Sequence, residues 1–302
     1  MPRENDLILM LVIFGSMAWG IFAPSVGTFL RPYPLYFMMF LLFLSFLSIE
    51  LPDIGEALAK RWGISIWLAV FKLLILPVLV FFILKVTFPA FALAGLLLSG
   101  VSTGVVAPFI ATLVGANEPL VLLLVVATSL LTPFTLPLVV KFLAGRNMEI
   151  SIFAMMRMLA MVIFIPIFLV ELLRRTWPPV SSFLLRYRYP TSLVIFAAIN
   201  LGVFSKYSRY FHQRPGSILS AILMAFFLGG LYFVLGISAL WKSRVDNQVA
   251  SAIILVNVNN VLIIVFAAQF FGPLEATLAA LYMIPFFLVI FPLKQFSLRK
   301  QA

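Results

Sequence analysis

Residues 94–115 read AGLLLSGVSTGVVAPFIATLVG. The stretch is apolar and long enough to cross a bilayer as one helix. Its centre, however, holds Ser99, Gly100, Ser102, Thr103 and Gly104, with Pro108 behind them. Proline lacks an amide donor and its ring clashes with the carbonyl four residues back, so the spacing predicts a helix broken between residues 100 and 108. Unwound backbone is tolerated in a membrane only where protein or a water-filled cavity surrounds it. The stretch therefore implies a multi-pass helical bundle with a polar interior.

Composition agrees. The chain is 64% hydrophobic and 10% charged, with 32 phenylalanines among 302 residues, values that exclude a soluble domain. Its long unalternated apolar runs exclude a β-barrel, whose strands alternate with a period of two. There are no cysteines, hence no disulfides and no thiolate metal sites. The net charge of +11 reflects lysines and arginines gathered between apolar runs, where they meet lipid headgroups; no nucleic-acid partner is implied. The one histidine, His212, reads as a solvated loop residue in KYSRYFHQRPG. The first apolar run begins at Leu7 after Arg3 and reads as a retained span, not a cleaved signal.

Cutting at charged and proline-rich breaks predicts ten spans: 6–23, 34–51, 63–86, 89–114, 119–141, 149–173, 189–205, 216–240, 247–271 and 274–293. With the N-terminus inside, cytoplasmic segments collect more Lys and Arg than external ones, which places both termini in the cytoplasm, with a bacterial inner membrane as the expected location. The halves echo each other: LVIF at 11–14 returns as MVIF at 161–164, and TPFTLPLVVKF is answered by IPFFLVIFPLKQF. Five spans per half make the second copy enter upside down, so two inverted five-helix repeats, 1–146 and 147–302, are expected.

The counterpart of the first break is QVASAIILVNVNNVLIIVFAAQFF, with Asn257, Asn259 and Asn260 at its midpoint. Asparagine is a poor helix former and costly in lipid, so a second break is expected there, crossing the first near the midplane. Discontinuous segments in corresponding places point to a transporter's binding site. Candidate site residues are thus Ser102, Thr103, Asn257, Asn259 and Asn260, with Thr128 and Thr132 on one face of the fifth span as supports. Ser102 and Thr103 could equally bond their own helix. Glu50, Asp53 and Glu56 read as solvated or paired with Lys60 and Arg61, Arg157 as snorkelling or functional, and Pro133, Pro137, Pro285 and Pro292 as kink formers.

Within VFKLLILPV, residues 70–78, Lys72 stands about 12 Å from the entry of its span. It either snorkels along its stem or is held inside by polar partners.

The order of these motifs resembles the bile acid:sodium symporter family. The run GVSTGVVAPFIATLVGANEPLVLLLVVATSLLTPFTLP matches its pattern of a broken fourth helix, a short Gly-Asn loop (here Gly115-Ala116-Asn117) and a fifth helix ending in Ser-Pro-Leu-Leu-Thr-Pro (here Thr132-Pro133-Phe134-Thr135-Leu136-Pro137). The resemblance implies a solute carrier with two sodium ions at the crossing, but the ligands depart from the family. The Ser-Asn pair falls on Val106, Ala107 or Pro108, the ninth-helix Gln-Asn becomes Asn259-Asn260, and the glutamate position falls at Leu255. The third-helix glutamine, five residues before a proline, corresponds to Lys72 ahead of Pro77. A tethered ammonium in the place of a sodium ion, coordinated by Asn257, Asn259 or Asn260 and by carbonyls of the broken helices, is the expectation. Proton exchange on such a lysine could then replace sodium in coupling.

The expected function is secondary transport of a small organic anion, with sodium doubtful, no other cofactor, and Lys72 and the half-helix N-termini supplying positive potential. A sensor or scaffold that keeps the fold without transporting is the alternative. No span carries paired carboxylates, a metal-spaced His cluster or a Ser-His constellation, so an enzyme is not expected. The solute's identity, the direction of transport and the oligomeric state stay open.

Overall fold

A computed structural model describes residues 4–49, 62–145 and 151–299 of the chain. Glu50, Asp53, Glu56, Lys60 and Arg61, together with the boundary between 146 and 147, lie outside the described residues. Among those described, the protein is helical throughout, and its β-type pairing is one isolated antiparallel bridge, Thr103 to Val258.

Six helices are long and apolar enough to cross a membrane: α3 (Trp62–Thr87), α6 (Glu118–Leu143), α7 (Ile152–Thr176), α8 (Pro178–Gln213), α9 (Gly216–Ala239) and α12 (Pro273–Leu298). A seventh crossing is available if α1 (Glu4–Phe22) is counted with the turn that follows it, bent by 107° at Ala23. The other apolar helices are shorter: α2 (Pro34–Phe46), α4 (Ala92–Gly100), α5 (Ala107–Val114), α10 (Val245–Val256) and α11 (Asn260–Phe270). The segment expected as the fourth span holds α4 and α5 with an unwound link, and the one expected as the ninth holds α10 and α11.

Two boundaries differ from the sequence reading. The expected span 189–205 is the middle of a 36-residue helix that runs through Pro190 without interruption. His212 accordingly sits in the last turn of α8 and not in a loop, its Nδ1 2.9 Å from the Ser208 carbonyl and its ring edge-on to Phe22. Pro133 and Pro137 likewise lie inside a continuous α6, whereas α12 is interrupted by turns at Tyr282 and Val289.

The helices pack as two groups. α8 lies on α1 and α2, and α2 on α7; separately, α3 packs on α4, α9 on α10 and α12, and α11 on α12. The groups meet where α6 touches α7 and where α11 touches α2 and α8. Arg174 at the end of α7 donates to the carbonyls of Leu47 and Ile49 beyond the end of α2, at 3.0 and 2.6 Å, and so closes off groups that a helix end leaves unpaired. Arg157 is exposed on α7.

Candidate functional site

The site grows from the two helix breaks. α4 ends at Gly100, and Val101 is already extended, at φ −75° and ψ 160°. α5 starts at Ala107 with Pro108 in its first turn, where a missing amide costs nothing. α10 ends at Val256, and the side chain of Asn259 caps α11 by accepting from the Leu262 amide at 3.3 Å. Pro108 and the asparagines therefore stop and restart helices by their own local chemistry.

Broken helices leave amides and carbonyls that water cannot reach, and here they pair with one another. The Gly104 amide donates to the Asn257 carbonyl at 2.6 Å, and the Asn259 amide to the Ser102 carbonyl at 2.9 Å. A methyl group at Gly104 would lie 2.9 Å from the Val258 carbonyl oxygen, so only glycine permits this approach. The Thr103 amide donates to Thr128 Oγ1 at 3.0 Å, while Thr103 Oγ1 donates to the Ile254 carbonyl at 3.1 Å. The Tyr282 hydroxyl takes the Val256 carbonyl at 3.0 Å. Two carbonyls in the last turn of α10 are thus satisfied by hydroxyl groups.

At the corresponding end of α4 the donor is Lys72. Its side chain is fully buried, and Nζ donates to the Ser99 carbonyl at 2.7 Å, one residue before the helix ends. Backbone carbonyls at a helix C-terminus carry partial negative charge, so the ammonium sits against the negative end of the α4 dipole. Lys72 itself lies in a π-type turn, Phe71–Ile75, where the Leu76 amide reaches five residues back to Phe71. Pro77 would clash with the Leu73 carbonyl in a regular helix, and the wider turn ahead of it relieves that conflict. No Asp or Glu is buried among the described residues, so the ammonium meets carbonyl oxygen without a carboxylate.

Part of the expected coordination is corrected. The asparagine amides are committed elsewhere: Asn257 Nδ2 to the Phe286 carbonyl at 3.2 Å, Asn259 Oδ1 to the α11 cap, and Asn260 Nδ2 to the Met283 sulfur at 2.6 Å. Lys72 is held by the carbonyl of a broken helix, and among the described residues none of the three asparagines bonds it. Thr128 is brought to the crossing, where its hydroxyl accepts from Thr103 and donates to the Leu124 carbonyl at 2.6 Å. The Thr132 hydroxyl donates to the Thr128 carbonyl of its own helix at 2.6 Å. Ser102 Oγ, Asn257 Oδ1 and Asn260 Oδ1 are buried without a partner among the described residues. Unsatisfied oxygens at such a depth are costly, and they mark the place where a donor or cation would be welcome.

A cavity of about 530 Å³ opens beside the crossing, between the two helix groups. Its wall includes Gly104 to Val106 and Phe109 at the start of α5, and Val258 to Val261 at the start of α11. Both half-helix N-termini, with their positive dipole ends, thus border it. Leu41 and Leu44 from α2, Phe196 from α8 and Phe286 from α12 supply apolar wall, and Ser45, Ser48 and Ser192 supply hydroxyls. Lys72 does not line this cavity; among the described residues its charged lining group is Arg188. The charge of Lys72, expected beside the solute, does not face this cavity. Arg188 escaped the sequence reading because RYRYP resembles an inter-helix charge cluster and carries no apolar period.

The loop between α5 and α6 fastens the crossing from the far side. Gly115 closes α5 in the left-handed region at φ 71°. Asn117 caps α6 through the Leu120 amide at 3.3 Å and donates to Asn247 Oδ1 at 2.7 Å, on the first turn of α10.

The model of the Sodium Bile acid symporter family matches residues 34–214, more than half of the chain. The matched segment contains Lys72, the first break, Thr128 and Arg188, and it ends before the second break. No curated protein matches the chain.

Proposed function

The chain belongs to the sodium bile acid symporter family, and from that premise we propose that it carries a small organic anion across the membrane with Lys72 standing in for a sodium ion. The observation that carries this reading is the Lys72 ammonium bonded to the Ser99 carbonyl at the end of a broken helix. Carbonyl oxygen at a helix C-terminus suits either a dissociable cation or a tethered one. The Lys72 chain already supplies the tethered kind.

In this reading α4 with α5 and α10 with α11 are counterpart discontinuous segments of two inverted five-helix halves, 1–146 and 147–302. Ten crossings result when each broken pair counts as one. The solute occupies the cavity beside the two half-helix N-termini, and rocking of one helix group against the other exposes it alternately to each side. Proton exchange on Lys72 takes the part that sodium plays elsewhere. Three of the buried oxygens without a partner among the described residues, Ser102 Oγ, Asn257 Oδ1 and Asn260 Oδ1, offer lone pairs to a cation once the lysine is removed.

Purified protein in proteoliposomes tests this by counterflow of radiolabelled organic anions, a bile acid among them, with sodium replaced by choline. Transport by the parent protein persists without sodium, and Lys72→Gln either abolishes it or makes it sodium-dependent. Strict sodium dependence of the parent refutes the tethered cation. Absence of counterflow for every anion favours the sensor or scaffold alternative.

A further inference from the structure

We propose that Arg188 is the charge anchor of the solute cavity, holding the carboxylate of the transported anion at the α8 wall. The inference rests on the transport reading above and adds a residue that the family resemblance does not supply.

Three observations converge on it. Arg188 lines the cavity, it is exposed, and among the described residues no carboxylate or other group pairs with it. Among the described residues the acidic side chains that form ion pairs, Glu171 and Asp246, bond Arg175 and Arg244 and lie outside the cavity wall. Next, the other described lining residues are neutral, so among the described residues one formal positive charge faces a space already bordered by two positive helix ends. Finally, Ser45, Ser48 and Ser192 lie in the same wall, and their hydroxyls suit the space to a hydrogen-bonding guest and not a lipid tail alone.

Placement follows from the fold. Because α8 continues through Pro190, Arg188 and Ser192 are consecutive turns of one helix and face the same space. A guanidinium offers a planar fork to a carboxylate, whereas helix ends offer only diffuse positive potential. Arg188 therefore sets preference for a carboxylate over its neutral ester, and the apolar wall accepts the body of the solute.

The chain has no cysteine, which allows a reporter to be placed at Ser192 on an otherwise unreactive background. Rates of modification of Ser192→Cys by sulfonatoethyl and trimethylammonioethyl methanethiosulfonates read the sign of the local field. Adding Arg188→Gln lowers the anion-to-cation rate ratio about tenfold, while Arg188→Lys preserves it. An unchanged ratio in the glutamine variant overturns the proposal and assigns the guanidinium to lipid headgroups.

A second arm uses glycocholate and its methyl ester as probes on protein in nanodiscs. Arg188→Gln weakens glycocholate about tenfold and leaves the ester unchanged, with Arg188→Lys intermediate. Equal glycocholate affinity in parent and glutamine variant overturns the anchor alone. No binding of any carboxylate in a wider panel, with the field effect present, overturns the transport reading and the anchor with it.

Discussion

Gly104→Ala is the substitution that bears most directly on the crossing. The added methyl lies 2.9 Å from the Val258 oxygen and 3.2 Å from the Asn257 oxygen, both backbone atoms that cannot rotate away. Restoring an ordinary contact requires the two unwound segments to part by about 0.5 Å, which stretches the bonds Gly104 to Asn257 and Asn259 to Ser102 from 2.6 and 2.9 Å. Overpacking of this kind costs about 1–3 kcal/mol, and weakening two buried hydrogen bonds adds about 1 kcal/mol. For a chain of this size the sum lowers the midpoint of thermal unfolding by roughly 3–6 °C. Gly230→Ala in α9 is the control, because nothing lies within 4 Å of its added methyl. That change is neutral or stabilises by about 0.5–1 kcal/mol. Intrinsic tryptophan fluorescence during heating in detergent reads both, and counterflow reads the effect on transport. A Gly104→Ala protein as heat-resistant and as active as the parent would refute the close pairing of the breaks.

Two further substitutions probe the supports. Thr128→Val removes the acceptor of the buried Thr103 amide and costs about 1–3 kcal/mol, whereas Thr132→Val forfeits only a bond within α6 and costs less; comparison of the two melting midpoints checks this. Thr128→Ser keeps the hydroxyl and retains most of the stability. Asn117→Ala loses the α6 cap and the link to Asn247, lowering stability by about 1–2 kcal/mol, and hydrogen exchange at the first turn of α10 rises with it.

The site was legible in the sequence where a residue acts on its own backbone. Pro108 and the run Asn257-Val258-Asn259-Asn260 announced both breaks to within a few residues, since a missing amide or a competing side-chain amide acts whatever surrounds it. Lys72 ahead of Pro77 drew attention because an amine deep in an apolar run needs a partner. Its actual partner is a backbone carbonyl, and a carbonyl leaves no trace in the identity of Ser99. Thr128 and Thr132 look equivalent as letters four apart; the close approach of the unwound 101–106 segment distinguishes them.

Membrane residence, helical architecture and the positions of the two discontinuities thus follow from the amino acids alone, through hydropathy, proline sterics and asparagine's competition for backbone bonds. Tertiary structure decided which orphaned groups meet: Gly104 with Asn257 across more than half the chain, Lys72 with the end of α4, and Arg188 with a cavity it shares with α5 and α11. The physical reason is that breaking a helix costs local backbone energy that a few side chains control. Choosing the partner of each freed dipole depends instead on which helices pack side by side.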